Sequence, residues 1–339
     1  MIKRVVYFDV LNIISALAVV YLHCSGVHTF RPTVSWSLTL IIEVAFFWAV
    51  PVFVMLSGAN LMGYRERYST KEFFKKRVLK TVIPFAVWSL IAAAVRGIFP
   101  WNTEGGGAIG FINKFINSEI EGIYWFFPVI FSVYLAMPVL SLLKDNRKIL
   151  FYLAGTGFVL KSFLPEFLGY FGIHWNGYIA MDMLGGYLLY AVIGYLAATT
   201  DFTKKQRAAI YVAGFLGAAL RYVVTLCFSF KNGIVDHTMF SYNGYYTVFL
   251  ALAVFVFIKY LPICDILAEN PKAVSVLKIV SSCSLGVYLI HMFVYRFLAR
   301  FMEPYGWEWR VLVPIAIYLL SLGITYLLKK IPIVKYIVP

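Results

Sequence analysis

Three polar residues share one face of an apolar segment near the beginning of the chain. The segment starts at Val5, ends in VVYLHCSG, and is interrupted by Asp9, Asn12 and His23. At about 100° per residue these side chains project within roughly 60° of one another, and Asn12 and His23 are about 16 Å apart along a helix. Imidazole is well suited to take a proton from a hydroxyl near neutral pH. We predict that His23 is a general base or a nucleophile that transiently accepts a chemical group from a substrate. The alternative is a structural hydrogen bond or a position at the membrane interface.

Other polar residues in apolar segments are candidates for supporting roles. Glu43, in LIIEVAFF, could orient His23 or hold an acceptor hydroxyl, and a structural hydrogen bond is the alternative. Tyr288 and His291 are three residues apart and therefore share a helix face. Asp9 lies close to the beginning of its helix, where a solvated carboxylate is expected.

Two further charges, Asp182 and Arg221, also fall within apolar stretches and are expected to form an interhelical pair or to be purely structural. The four cysteines show neither CxxC nor metal-ligand spacing, so we expect no disulfide, zinc site or other metal site. The sequence also lacks a Walker loop, a dinucleotide-binding glycine motif, an HExxH pair and a GxSxG elbow.

The composition indicates a membrane protein. Of the 339 residues 61% are hydrophobic and 14% are charged, which is too apolar for a soluble domain of this length. We therefore predict an all-α polytopic membrane protein with a single domain over residues 1–339. Its ten predicted spans are roughly 5–26, 38–62, 79–99, 123–143, 149–165, 180–198, 208–229, 245–261, 280–298 and 311–328.

The net charge of +14 is explained by topology better than by nucleic-acid binding. Basic residues cluster in the loops YRERYSTKEFFKKRVLK, KDNRK, TKKQR and LLKKIPIVK, which follow the second, fourth, sixth and tenth predicted spans. The positive-inside rule then places these loops and both termini in the cytoplasm, with the chain in the cell membrane. The first apolar segment is expected to be a retained helix, because no small-residue cleavage site follows it.

Five motifs occur in the order typical of one family. They are FDVLNIISALAVVYLH (8–23), VPVFVMLSGANL (50–61), KKRVLKTVIPF (75–85), YWFFPVIFSVYLAMPVL (124–140) and SLGVYLIHMFV (284–294). Together they resemble the acyltransferase-3 family of integral-membrane acyltransferases. The resemblance implies transfer of an acyl group, usually acetyl, from cytoplasmic acyl-CoA to a hydroxyl of an envelope glycan or a related acceptor.

If the chain carries out this activity, we expect roles for individual residues. His23 would be the catalytic histidine, with Glu43 as its supporting carboxylate. Arg77 and Lys80, three residues apart on one helix face, would bind the CoA phosphates, although topology alone also explains them. Asn12 would lie along the pantetheine arm of the donor. On the acceptor side the expected substrate-binding residues are Trp125, Tyr288 and His291.

The chain departs from the family pattern at three positions. Asn12 and Phe47 stand where the family usually has arginines, and Tyr124 stands where a histidine commonly precedes Trp-Phe. These changes affect the expected donor recognition and leave the histidine chemistry in place. The alternative functions are a transporter or exporter of envelope glycan precursors, which would share the buried polar residues, and a non-catalytic sensor or scaffold.

Overall fold

The computed structural model of the chain describes residues 4–28, 31–103, 106–179, 185–303 and 306–338. Within these ranges the regular structure is helical and contains no β-strand. The all-α prediction is therefore confirmed for the described residues. Asp182, the expected partner of Arg221, lies outside them.

The helices are numbered in chain order. The first nine are α1 (Val6–Cys24), α2 (Val34–Phe46), α3 (Ala49–Leu61), α4 (Thr70–Arg77), α5 (Ile83–Arg96), α6 (Gly107–Ile116), α7 (Phe126–Leu140), α8 (Arg147–Gly157) and α9 (Leu164–Gly169). The remaining helices are α10 (Tyr187–Thr199), α11 (Lys204–Asn232), α12 (Tyr245–Lys259), α13 (Pro262–Glu269), α14 (Pro271–Ser282), α15 (Ser284–Leu298), α16 (Trp307–Val311) and α17 (Val313–Leu328). Two π-helical segments, Val78–Val82 and Phe158–Phe163, join α4 to α5 and α8 to α9.

Several of these helices are long and apolar enough to cross a membrane, which indicates a multi-pass membrane protein. Five continuous spans of at least 18 residues are present among the described residues: Val6–Cys24, Val34–Glu66, Thr70–Arg96, Gly122–Leu143 and Lys204–Asn232. Two bent pairs, α12 with α13 (43°) and α14 with α15 (53°), raise the number to seven if each pair is one span.

The predicted count of ten spans is not confirmed. The described helix in the predicted segment 180–198 is α10, whose 13 residues extend about 20 Å, less than the roughly 30 Å of hydrocarbon. The segment 311–328 corresponds to α17, with 16 residues. A π-helical turn interrupts the segment 149–165, which becomes α8 and α9.

Polar contacts bring the ends of several helices to the same end of the bundle. Arg65, beyond the end of α3, donates to Ser141 at the end of α7 (2.8 Å). Arg147 at the start of α8 and Lys259 at the end of α12 both bind Thr200, which follows α10. We call the end defined by Arg65, Arg147 and Lys259 the basic end of the bundle. Consequently α7, α10 and α12 all run toward it.

The longest helix, α11, has small and polar side chains on its buried face. The buried residues recur every three or four positions, at Gly214, Gly217, Arg221, Thr225 and Ser229. Large apolar side chains occupy the exposed faces: Val212, Phe215, Leu216, Leu220, Val223, Phe228 and Phe230. This arrangement is typical of a membrane helix, in which lipid accepts the apolar side chains and small residues permit close helix packing.

Helices α3 and α10 cross at two glycines that allow their backbones to touch. A Cβ atom at Gly58 would lie 1.9 Å from the carbonyl oxygen of Ala191, and a Cβ atom at Gly194 would lie 2.1 Å from that of Met55. Because the obstacles are backbone atoms, a side chain at either position can be accommodated only if the helices separate. This crossing fixes the central helix α3, which also packs against α1.

We predict that Gly194→Ala destabilises the protein by about 1–3 kcal/mol, the usual cost of overpacking a well-packed interior. The measurement is the thermal unfolding midpoint of the purified protein in detergent. The matched control is Gly323→Ala in α17, where a Cβ atom has no neighbour within 4 Å. Equal unfolding midpoints for the two variants would contradict the proposed close crossing.

Candidate active site

A break between α14 and α15 positions one side of the site. The two helices meet at Cys283 with a bend of 53°. The side-chain amide of Asn12, on α1, donates to the backbone oxygen of Ser281 (2.9 Å) and to its hydroxyl (3.0 Å). Asn12, one of the polar residues on the shared face of α1, therefore binds the end of α14 directly, next to the break from which α15 starts.

Two histidines meet about two helical turns beyond this break. His23 Nδ1 lies 2.8 Å from His291 Nε2, and the two rings stack with centroids 5.0 Å apart and an interplanar angle of 12°. His291 is only 1% exposed, whereas His23 remains partly exposed. His23 is thus the accessible member of the pair and His291 is its buried support.

The hydrogen bonds of His291 define the tautomers of the neutral pair. His291 Nδ1 lies 2.8 Å from the carbonyl oxygen of Tyr288 and 3.1 Å from that of Val287. Carbonyl oxygens only accept, so this nitrogen carries the proton and His291 Nε2 must accept from His23 Nδ1. His23 Nε2 is then the unprotonated nitrogen. His23 therefore carries the free lone pair on Nε2, the ring nitrogen that does not contact His291. A general base or a nucleophile requires such a lone pair.

Contacts from the start of α7 hold α15, and with it His291, in place. Tyr124 donates to the carbonyl oxygen of Leu289 (2.9 Å), and the Tyr288 hydroxyl donates to that of Ile123. One turn beyond His291, Arg296 donates to both oxygens of the buried Glu121 carboxylate (2.7 and 2.5 Å). Both hydrogen bonds come from the same guanidinium nitrogen, and charge-assisted hydrogen bonds of this kind are among the stronger contacts in a protein. Tyr124, at the position where the family commonly has histidine, is thus a structural link to α15.

A cavity of about 670 Å³ leads from the basic end toward the histidines. Arg4, Arg67 and Arg77 lie on its wall near the basic end, and Asn12 and Tyr288 lie on its wall deeper in the bundle. Neither His23 nor His291 is a wall residue. Since Tyr288 is three residues before His291 and its ring lies 5.9 Å from the His291 ring, the cavity ends about one helical turn short of the histidine pair.

The charge on the cavity wall is positive. Asp9 also lies on the wall, but both of its oxygens accept from Arg4 (2.5 Å each), so this carboxylate is neutralised locally. Arg77 lies over the rings of Phe73 and Tyr134 (5.6 and 5.5 Å), and its buried Nε has no hydrogen-bond acceptor among the described residues. The cavity can therefore bind an anion through guanidinium groups.

Lys80 does not share the position of Arg77. It is exposed and is not a wall residue of the cavity. The cause is the π-helical turn Val78–Val82, in which the Ile83 amide donates to the Val78 carbonyl five residues earlier. A π-helical turn contains more residues than an α-helical turn, so three residues cover a smaller rotation about the helix axis. Arg77 and Lys80 therefore do not share the face that α-helical spacing predicts.

Glu43 binds an arginine and a serine rather than His23. Its carboxylate accepts from the Ser25 hydroxyl (3.2 Å) and lies 3.7 Å from the Arg221 guanidinium. Arg221 also donates to the carbonyl oxygens of Met239 (2.8 Å) and Glu43 (3.4 Å). This buried pair joins α2, α11 and the loop before α12, close to the end of α1.

Trp125 belongs to an aromatic cluster and not to the cavity wall. Its ring lies 5.5 Å from that of Tyr242 and 6.0 Å from that of Tyr187. Arg4, Arg67, Ser281 and Tyr242 were not among the residues singled out from the sequence. Basic residues beside spans are common, and a tyrosine among 24 tyrosines carries no distinguishing pattern.

A comparison with protein families identifies the class of protein that this fold and site define. The acyltransferase domain of the acyltransferase-3 family matches residues 5–330, nearly the whole chain. The chain belongs to this family, so the resemblance found in the five motifs is confirmed. No curated protein and no solved structure matches the chain. The protein is therefore a multi-pass membrane acyltransferase.

Proposed function

We propose that the protein transfers an acyl group, most simply acetyl, from cytoplasmic acyl-CoA to a hydroxyl of an envelope glycan or a similar acceptor. The observation that carries the proposal is the contact between His23 Nδ1 and His291 Nε2, because it leaves His23 Nε2 unprotonated near the end of a basic cavity. Family membership supports acyl transfer, and the site supports a hydroxyl as the group that His23 deprotonates.

The cavity suits an acyl-CoA donor in charge and shape. Arg67 and Arg77 near the basic end match the phosphates of CoA, to which guanidinium groups bind well, whereas Arg4 is already paired with Asp9. The deeper wall is lined by Phe53, Phe126 and Ile130, which suit the uncharged pantetheine arm. Asn12 would lie along the pantetheine arm, and Tyr288, three residues before His291, marks the depth that the thioester would reach.

The reaction follows from the protonation of the histidine pair. His23 Nε2 takes the proton from the acceptor hydroxyl while the hydroxyl oxygen attacks the thioester carbonyl. The carbon–sulfur bond breaks, and the thiolate of CoA receives the proton from His23, which gives an ester and free CoA. His291 stabilises the transient imidazolium by accepting from Nδ1. If His23 Nε2 attacks the thioester first, the same lone pair forms an acyl-imidazole before the acceptor reacts.

The basic end is assigned to the cytoplasm by the positive-inside rule. The donor then enters from the compartment that contains acyl-CoA, and His23, at the far end of α1, faces the outer half of the cell membrane. Both termini are assigned to the cytoplasm for the same reason. The acyl group would then reach an acceptor on the outer side of the membrane while CoA stays on the cytoplasmic side.

We expect His23→Ala to lower the release of free CoA from acetyl-CoA by at least about 100-fold, because general-base catalysis contributes about 10²–10⁴-fold. Thiol release by the purified protein in detergent is the measurement. His174→Ala is the control, since His174 is exposed and lies on the wall of a different cavity. An unchanged rate in His23→Ala would refute the assignment. If folded wild-type protein shows no binding and no turnover of acetyl-CoA, a transporter is favoured instead.

His291→Ala should lower kcat by about 100-fold with a change of no more than about threefold in the KM for acetyl-CoA, since His291 orients the base and does not touch the donor. His291→Gln should recover part of kcat, because its side-chain oxygen can accept from His23 Nδ1. Rates are measured per folded molecule. Equal kcat values for the Ala and Gln variants would show that His291 has only a packing role.

Arg77→Ala should raise the KM for acetyl-CoA by about tenfold or more, because a hydrogen bond to a charged group contributes about 1.5–3 kcal/mol. The matched control is Lys75→Ala, which removes an exposed charge of the same sign from the same helix, α4. Initial rates over a range of acetyl-CoA concentrations provide both KM values. A similar KM for the two variants would show that Arg77 contributes only to net charge.

A further inference from the structure

Two histidines from loops that are far apart in the sequence stack on each other. His28 lies four residues after the end of α1, and His237 lies in the loop between α11 and α12. Their ring centroids are 5.2 Å apart with an interplanar angle of 16°, and both residues are exposed. The Phe240 ring lies against both, with its centroid 4.9 Å from that of His28 and 5.1 Å from that of His237. We call His28 and His237 the loop histidines.

The loop that carries His237 is anchored to α11. The Asp236 amide donates to the Ser229 hydroxyl (2.8 Å), and Arg221 donates to the carbonyl oxygen of Met239 (2.8 Å). Because α12 runs toward the basic end, this loop, which precedes α12, lies at the opposite end of the bundle. The ring of His237 therefore has a fixed position, against which the other loop histidine packs.

The segment that carries His28 continues directly from the helix that carries His23. His28 is five residues after His23, and between them the Ser25 hydroxyl donates to a carboxylate of α2 (3.2 Å). The Trp36 indole, also on α2, donates to the carbonyl oxygen of Val27 (2.9 Å). The stack of the loop histidines joins this same segment to the loop before α12. The outer end of α1 is thus attached to two separate parts of the bundle.

Positive charge predominates around the loop histidines. From α11, Arg221 faces them across Phe240, whose ring centroid lies 4.8 Å from the guanidinium. Arg31 and Lys231, both exposed, carry further positive charge on the two adjoining segments. Partial burial, the other loop histidine and Arg221 together lower the pKa of His28 below its usual value.

The carboxylates nearest to the loop histidines already have partners. Glu43 of α2 lies 3.7 Å from the Arg221 guanidinium. Asp236, next to His237 in the chain, accepts from the Thr238 amide (3.1 Å). These partners leave little negative charge to compensate a proton on either loop histidine.

Protonation reverses the sign of the interaction within the pair. Neutral aromatic rings stack favourably, whereas two imidazolium ions 5.2 Å apart repel each other. This separation is shorter than the Debye length of about 8 Å at physiological salt, so dissolved ions do not remove the repulsion. Histidine changes its charge between about pH 5 and pH 8. The contact between the two loops is therefore favourable at neutral pH and unfavourable in acid.

We propose that the loop histidines form a pH-sensitive contact, which holds the segment after α1 against the loop between α11 and α12 and is lost on acidification. A shared metal ion is the poorer interpretation, because the lone pairs of nearly parallel rings do not converge on one ion. The described residues also contain no group of three metal-ligating side chains. The proposal concerns residues outside the donor cavity and does not depend on the identity of either substrate.

The test is hydrogen–deuterium exchange of the peptide that covers residues 25–28, in the full chain in detergent. Exchange is compared at about pH 7.5 and about pH 5, after correction for the intrinsic effect of pH. In wild-type protein it should rise by about fivefold or more in acid, since one pKa unit corresponds to a tenfold change in an equilibrium. In His237→Gln, which leaves the peptide unchanged, exchange should be fast at both pH values.

The matched control is His174→Gln, which removes an exposed histidine from the wall of a different cavity and should behave as wild type. Equal protection at both pH values in wild type, or the same response in His237→Gln and His174→Gln, would overturn the proposal.

The thermal unfolding midpoint provides a second measurement. Because the pKa of His28 is lowered by folding, the unfolded chain binds protons more readily, and stability present above about pH 6.5 is lost as the pH falls. Between the two pH values His28→Gln should therefore lose about 2 °C less than wild type. The double variant with His237→Gln should lose no less than His28→Gln, since one histidine suffices for the repulsion to disappear. Additive effects of the two substitutions would show that the histidines titrate independently, which contradicts the proposal.

Discussion

Hydrocarbon offers no hydrogen-bond partner, and the arrangement of this protein's site follows from that constraint. Each polar group within a membrane-spanning helix must find its partner on another part of the chain or face an aqueous cavity. Here Asn12 binds Ser281, His23 binds His291, and Glu43 pairs with Arg221. These contacts connect α1 and α2 with helices much later in the chain, so the polar groups that serve chemistry also determine which helices are neighbours.

The two ends of the site have different physical character. On the side of the basic end, Asp9 and Arg4 neutralise each other, and Arg67 and Arg77 leave the cavity wall positive. On the other side, the partly exposed rings of Trp125, Tyr187 and Tyr242 lie within 6.5 Å of one another. The first environment favours an anionic ligand, and the second carries no such charge. The histidine pair lies beyond the inner end of the cavity.

The sequence predicted those parts of the structure that depend on local pattern. Apolar segments indicated the membrane helices, and the polar residues on one face of α1 indicated Asn12 and His23 as candidates. Five motifs identified the family. The contact between His23 and His291 could not be predicted, because the two residues are 268 positions apart and spacing carries no information at that distance. The same holds for the partners of Glu43.

Helix regularity is the assumption that failed elsewhere. The relation between Arg77 and Lys80 was inferred from 3.6 residues per turn, and a single π-helical turn between them changes it. The span count assumed that each apolar run forms one helix long enough to cross the membrane, whereas α10 and α17 have fewer than 18 residues and the run at 149–165 is interrupted. The break between α12 and α13 coincides with Pro262, a signal that the sequence carries. At the break between α14 and α15, Ser281 accepts from Asn12, a contact between positions too far apart for local sequence to reveal.

The long separation between partners also has a consequence for synthesis in the cell. Asn12 and His23 enter the membrane with α1, but Ser281 and His291 are translated almost 270 residues later. Until α15 inserts, α1 therefore presents an unsatisfied amide and imidazole, which lipid cannot solvate. Contacts this distant in sequence form late in assembly. The first helix of the nascent chain therefore exposes a polar stripe until α14 and α15 have entered the membrane.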